Sequence, residues 1–169
     1  MSKSQALKSK ALESEPSETG DPGHIEGLKL SNLLCFAVYS ANHAFNRLYK
    51  PILDELGLTY PQYVAMVTLW REDGLTVGQI GERVLLETNT VTPLLKRMEV
   101  AGLVRRTRAK ADERQVLVHL TEKGKALREK ARSLPNEVGI CFEHDRARIE
   151  KLTDDITNLR DALLAKAKG

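Results

Sequence analysis

Apolar positions fall at Leu30, Leu33/Leu34, Ala37/Val38, Ala41, Ala44/Phe45, Leu48 and Ile52/Leu53. Steps of three and four predict an amphipathic helix over Leu28–Leu56. Pro51 is expected to kink it or to open a second helix, and Gly57 to cap its end. Two hydroxyl-x-x-Gln boxes follow. Thr59–Gln62 starts a helix to about Glu72, ended by Asp73-Gly74; Thr76–Gln79 starts another to about Leu86. A further helix opens at Thr88 or Asn89 and runs to Gly102. Short helices joined by tight turns have the dimensions of a helix-turn-helix.

The period then changes to two. Leu103–Arg108 and Gln115–Leu120 read as strands, with Val116, Val118 and Leu120 on one face and the charged AKADER loop between them. Thr121 caps another helix. After Pro135 a last helix carries Ile149, Leu152, Ile156, Leu159 and Leu163, a 3-4-3-4 seam suited to a partner helix. The fold class is mostly α with a small β-wing: a winged helix-turn-helix whose N- and C-terminal helices form a dimerisation region. The expected divisions are a disordered tail (1–27), rich in Ser, Lys, Glu, Gly and Pro, and a helical sensor and dimerisation segment (28–58). A DNA-binding region (59–120) and C-terminal helices (121–169) complete one compact domain.

Composition narrows the function classes. A chain of 169 residues with 41% hydrophobic and 29% charged positions suits a cytoplasmic globular protein. No apolar run reaches the ~20 residues of a membrane span, and the N-terminus lacks the apolar block of a secretory signal. Two distant cysteines make neither a disulfide framework nor a zinc site, so no metal or cofactor is expected. The net charge of +3 matters less than its location. Residues 105–114 carry Arg105, Arg106, Arg108, Lys110 and Arg114 against Asp112 and Glu113, a net +3 that matches the whole chain.

A hairpin tip so charged suits a minor-groove probe or phosphate clamp; alternatively its charges only discourage edge pairing. The preceding helix favours the first reading. Its early turns display Thr88, Asn89, Thr90 and Thr92, and Lys96 and Arg97 follow one to two turns later. Major-groove readers use the start of the second helix in this way. Thr88 and Asn89 also suit a cap, a role compatible with binding a phosphate. Helix and wing together make double-stranded DNA the expected partner.

The stretch LLCFAVY places Cys35 in an apolar helical run, and Tyr39, Tyr49 and Tyr60 follow within 25 residues. Cys35 is either a small core side chain or a reactive thiol. A free thiol titrates near 8.5 and only the thiolate attacks peroxide. Lys29 and His43 are the nearest cations, so activation would rest on hydrogen bonds from phenols and on a position near a helix N-terminus.

The segments LLCFAVYSA, YKPILDELGLTYPQYVAMVTLW, NTVTPLLKRMEVAGLVRRTR and ADERQVLVHLTEKG resemble the MarR family of winged-helix repressors, and more narrowly its organic-hydroperoxide-responsive branch, of the two-cysteine type. The similarity runs from about Leu28 to Ala131. It implies that Cys35 is the redox-sensing cysteine, and that Tyr49 and Tyr60 hydrogen-bond it across a dimer interface. It implies that Arg114 enters the minor groove oriented by Asp112, and that Cys141 is the resolving thiol of the other subunit. The expected function is a homodimeric repressor of palindromic operator DNA, released when an organic hydroperoxide oxidises Cys35. Leu33, Leu34, Phe36 and Val38 would favour alkyl and lipid hydroperoxides. The alternative is a repressor released by a small phenolic or carboxylic ligand. A thiol peroxidase is disfavoured because no Arg with Thr or Ser surrounds Cys35; a sequence-independent architectural DNA-binding protein is a further rival.

Overall fold

The structure, a computed structural model, describes residues 29–109, 112 and 114–167. The tail expected at residues 1–27 and the candidate contact Lys110 lie outside the described residues. The chain divides into two compact units, Met1–Ser40 and Ala41–Gly169. The described part of the first holds a 3-10 turn, Leu30–Asn32, and the opening of helix α1 (Leu34–Leu56). This start is six residues later than the apolar spacing predicts. Leu33 is extended, with φ −89° and ψ 118°. Ser31 donates to the Asn32 side chain at 3.3 Å, and such short polar side chains compete with helical backbone bonding.

Pro51 lies inside α1, which continues to Leu56 and does not restart at the proline. Gly57, at φ 67°, turns the chain out of the helix. The Leu58 N–H then returns to the Leu53 carbonyl at 2.9 Å, the long bond of a Schellman-type end.

In the second unit the two hydroxyl-x-x-Gln boxes fall where the sequence puts them. Helix α2 (Tyr60–Arg71) opens with the Thr59 N–H donating to Gln62 Oε1 at 2.9 Å. Helix α3 (Val77–Val84) opens with a reciprocal box: the Gln79 N–H donates to Thr76 Oγ1 (3.1 Å) and the Thr76 N–H to Gln79 Oε1 (2.9 Å). Helix α4 spans Thr88–Val100, with Glu87 at its N-cap position. Strands β2 (Val104–Arg108) and β3 (Val116–Leu120) form the wing, pairing Val104 with Leu120 and Arg108 with Val116.

A strand absent from the sequence reading, β1 (Leu75–Thr76), pairs with β3 on its other edge and sets the order β1-β3-β2. Two residues are too few to show alternation, so only the fold reveals it. Helix α5 (Glu122–Lys130) starts where Thr121 Oγ1 accepts the Gly124 N–H at 3.0 Å. The single helix expected after Pro135 is two: α6 (Leu134–Cys141) and α7 (Arg146–Ala167). Glu143 and His144 make the break at φ 52° and 60°. Neither is the glycine that usually marks such a turn.

The core of this unit is formed where α2, α3, α4 and β3 meet. Met66, Ile80, Val91, Leu95, Met98 and Val118 have no exposed surface. Helix α4 turns one apolar stripe to this core and its polar stripe outward, which is the binary pattern the sequence showed. Helix α7 buries no residue of its own; Leu152, Ile156 and Leu163 are 42%, 46% and 62% exposed. Among the described residues no helix is long and apolar enough to cross a membrane.

Candidate nucleic-acid interface and thiol site

Helix α4 presents Thr88, Asn89, Thr90, Thr92, Lys96 and Arg97 on its exposed side. Because Val91, Leu94, Leu95 and Met98 hold the opposite side in the core, these groups are carried by a rigid element. Thr88 and Asn89 lie inside the first turn and so are not the cap; that position belongs to Glu87. Thr90 Oγ1 donates to Asn89 Oδ1 at 3.1 Å, which fixes the pair relative to each other.

The wing brings a second cationic surface. Arg108 and Arg114 are exposed. Asp112 holds the turn between the strands: its Oδ1 accepts the Arg114 N–H at 3.0 Å and its Oδ2 accepts from Gln115 Nε2 at 3.2 Å. The carboxylate thus orders the backbone that carries Arg114. Arg106 is placed differently from its neighbours. Its N–H and its Nε both donate to Glu99 on α4, at 2.9 and 2.7 Å. This bond from the guanidinium holds the Glu99 carboxyl below the usual carboxylate range. Glu99 was missed by sequence reasoning, since a contact between a helix end and a strand has no period to reveal it.

Cys35 occupies the first turn of α1 and is exposed, so packing in a core is not its role in the chain as it stands. Phe36 and Tyr39 lie beside it in sequence, their ring centres 6.3 Å apart. In the second unit the phenols gather. The Tyr49 and Tyr60 rings stack at 5.8 Å with an interplanar angle of 24°. Tyr63 adjoins Tyr60 at 6.3 Å, and Trp70 adjoins Tyr63 edge-on at 6.4 Å. The sequence reading missed these last two rings.

Burial pushes the Tyr49 hydroxyl above its ordinary value, with the Tyr60 and Tyr63 phenols and then Cys141 and Glu137 on α6 adding to the effect. Tyr63 is pushed up by burial and by Tyr60. Tyr49 is therefore an intact O–H donor at neutral pH, within electrostatic reach of the Cys141 sulfur. Two of the predicted site residues, Tyr49 and Tyr60, come together in one chain. Cys141 is itself exposed at the end of α6.

A helix with a polar outer stripe, beside a two-stranded wing with exposed arginines, is the architecture of a winged-helix DNA-binding protein. Residues 47–131 match the family model described as transcriptional regulator SarA/Rot. The chain is 46% identical over 149 residues to the HTH-type transcriptional regulator TtmR of Methylorubrum extorquens, covering 86% of this chain and 74% of the relative. It is 48% identical over 111 residues to the organic hydroperoxide resistance transcriptional regulator of Bacillus subtilis, covering 66% and 76%. AbfR of Staphylococcus epidermidis has the same fold: its reduced, DNA-bound form gives a TM-score of 0.61 at 36% identity over 77% of this chain and 95% of that one. Its disulfide form gives 0.57 at 32% identity, over 83% and 93%. The chain belongs to the MarR family of transcriptional regulators.

Proposed function

We propose that the protein is a peroxide-sensing repressor whose reduced homodimer holds a palindromic operator and lets go when Cys35 is oxidised. The observation that carries this reading is the stacked Tyr49–Tyr60 pair, two phenols brought face to face on α1 and α2. Two phenol hydroxyls side by side form a receiving site for the Cys35 of a partner chain, with Cys141 as the resolving thiol. The exposed apolar seam of α7 supplies a surface for that partner, since a helix with an unburied stripe gains by covering it.

The Cys35 thiolate attacks the terminal oxygen of an organic hydroperoxide; the S–O bond forms, the O–O bond breaks, and the alkoxide leaves and takes a proton from solvent to become the alcohol. The sulfenic acid condenses with the Cys141 thiol of the other chain, forming the S–S bond and releasing water. A dithiol reductant returns both thiols. Disulfide geometry demands Cα atoms within about 7 Å, so bond formation draws the carrier helices together and re-spaces the two α4 helices. Two half-sites at a fixed helical phase tolerate little of that movement. Thr88, Asn89, Thr90 and Thr92 read or approach bases from α4. Lys96, Arg97, Arg108, Lys110 and Arg114 hold phosphates or the minor groove, and Asp112 orders the wing turn.

A second reading, release by a phenolic or carboxylic acid, draws on a cleft of about 520 Å³ lined by Trp70, Arg71, Lys125 and Arg128, with Asp73 and Glu129 also on its wall. The experiment that decides is a mobility-shift assay with cumene hydroperoxide. Wild type is released, and Cys35→Ser stays bound at every dose. Release of that variant by peroxide would assign the sensor elsewhere.

A further inference from the structure

The sheet order β1-β3-β2 leaves β2 on an edge. The backbone N–H of Arg106 points away from β3 and donates to Glu99 Oε1 at 2.9 Å, while the other carboxylate oxygen takes the Arg106 Nε at 2.7 Å. One carboxylate on the last turn of α4 therefore grips both the main chain and the side chain of a single wing residue. Two charge-assisted bonds fix distance and direction together, which one bond cannot do. The pair is sheltered: the Arg106 and Glu99 side chains are 25% and 33% exposed. Of the wing arginines at 105, 106, 108 and 114, only Arg106 is part-buried.

We infer that Arg106 does not contact DNA but, with Glu99, forms a strut that sets the angle between the recognition helix and the wing. This assignment rests on α4 and the wing being the two elements that meet the duplex. A protein that must place both in adjacent grooves loses complementarity when that angle relaxes, because phosphate and base contacts are made together. The covalent link from Ala101 to Leu103 joins the elements at one end only. Gly102 lies in it at φ 73° and makes the bend, which is held at its base by the Leu103 N–H on the Met98 carbonyl (3.0 Å) and the Thr121 hydroxyl on the Gly102 carbonyl (2.6 Å). The strut supplies a side-chain attachment beyond that base, three residues past Leu103.

The strut and a phosphate contact predict opposite effects for Glu99. Were Arg106 a DNA ligand, deleting Glu99 would free a cation, remove a negative charge from the binding face and tighten binding. For a strut, Glu99→Ala weakens binding despite the gain in net charge. The test uses the full reduced chain and a labelled duplex of about 30 base pairs selected from a random pool by the wild type. That length accommodates two half-sites one helical turn apart.

Dissociation constants are measured across a salt series for Glu99→Ala, Glu99→Gln, Arg106→Ala and the double Ala variant, with thermal melts confirming the fold. The expected result is weakening by about tenfold for either single Ala change. The double variant should be no worse, and the slope of log K against log salt should be unchanged. Glu99→Gln keeps an acceptor for the Arg106 N–H and should retain part of the affinity even if the Ala variant folds poorly. Tighter binding by Glu99→Ala, or a slope shallower by about 0.9 for each Arg106 removed, overturns the assignment. Lys96→Ala run alongside should lower both affinity and slope, so a failure of the interface reading itself shows there and not at Glu99.

Discussion

Arg108→Ala removes an exposed wing guanidinium that the fold does not use for its own packing. Among the described residues, Lys96, Arg97, Arg108 and Arg114 are the exposed cations assigned to DNA, so these four offer about eight phosphate contacts in a homodimer. With a slope near −0.9 per contact, log K against log salt should fall with a slope of about −7. Between 50 and 200 mM salt that is a loss of roughly four decades of affinity, within the usual range for this many contacts. Arg108→Ala deletes two contacts per dimer and should flatten the slope by about 1.8, cutting the loss by roughly one decade. Fluorescence anisotropy with a labelled duplex over that salt range reads both quantities. An Arg108→Ala slope equal to that of wild type would mean the wing arginine does not displace counterions. The wing would then be a structural hairpin.

Other consequences follow from individual contacts. Gly124 packs so closely on the Leu103 carbonyl that a Cβ there collides with it, while its own carbonyl accepts Trp70 Nε1 at 2.9 Å. Gly124→Ala should cost about 1–3 kcal/mol and lower the melting temperature, and an unchanged melt would refute the close packing of α5 on the wing base. Tyr49 and Tyr63 have raised values in the fold, so their stabilising contribution is whole below about pH 10, where free tyrosine titrates, and is lost as pH rises through their folded values. The tyrosinate absorbance of the native protein should therefore develop later than that of the unfolded chain; coincident curves would contradict the burial. Ile156→Asp combined with Leu163→Asp places charge on the exposed seam of α7 and should yield folded monomers in sedimentation, whereas intact dimers would place the interface elsewhere. Tyr49→Phe and Tyr60→Phe should each slow peroxide oxidation of Cys35 by about fivefold, the worth of one hydrogen bond, measured by stopped alkylation; wild-type rates would remove the phenols from the mechanism.

Much of the fold was legible because its signals are local. The Thr76–Gln79 box, the Gly57 cap and the alternation of Val116, Val118 and Leu120 each express one residue's preference against its immediate neighbours. Non-local features were not legible. Strand β1 exists only because β3 lies beside it. The break at Glu143 and His144 takes a left-handed backbone from residues that do not advertise it. The site divides along the same line. Exposed Thr, Asn, Lys and Arg on α4 follow from the amphipathic pattern, and Tyr49, Tyr60 and Cys141 follow from the family resemblance. The pairing of Glu99 with Arg106 depends on where a helix end meets a strand edge. Net charge counted Arg106 as one more cation for DNA; the fold also pairs its guanidinium with Glu99.

The most direct measurement treats the reduced full chain with one equivalent of cumene hydroperoxide and follows intact mass and operator binding in the same samples, with and without dithiothreitol. The account predicts a covalent dimer joined through Cys35 and Cys141, appearing as DNA is released and disappearing with reductant as DNA binding returns. Release of DNA while both thiols remain unmodified would contradict it.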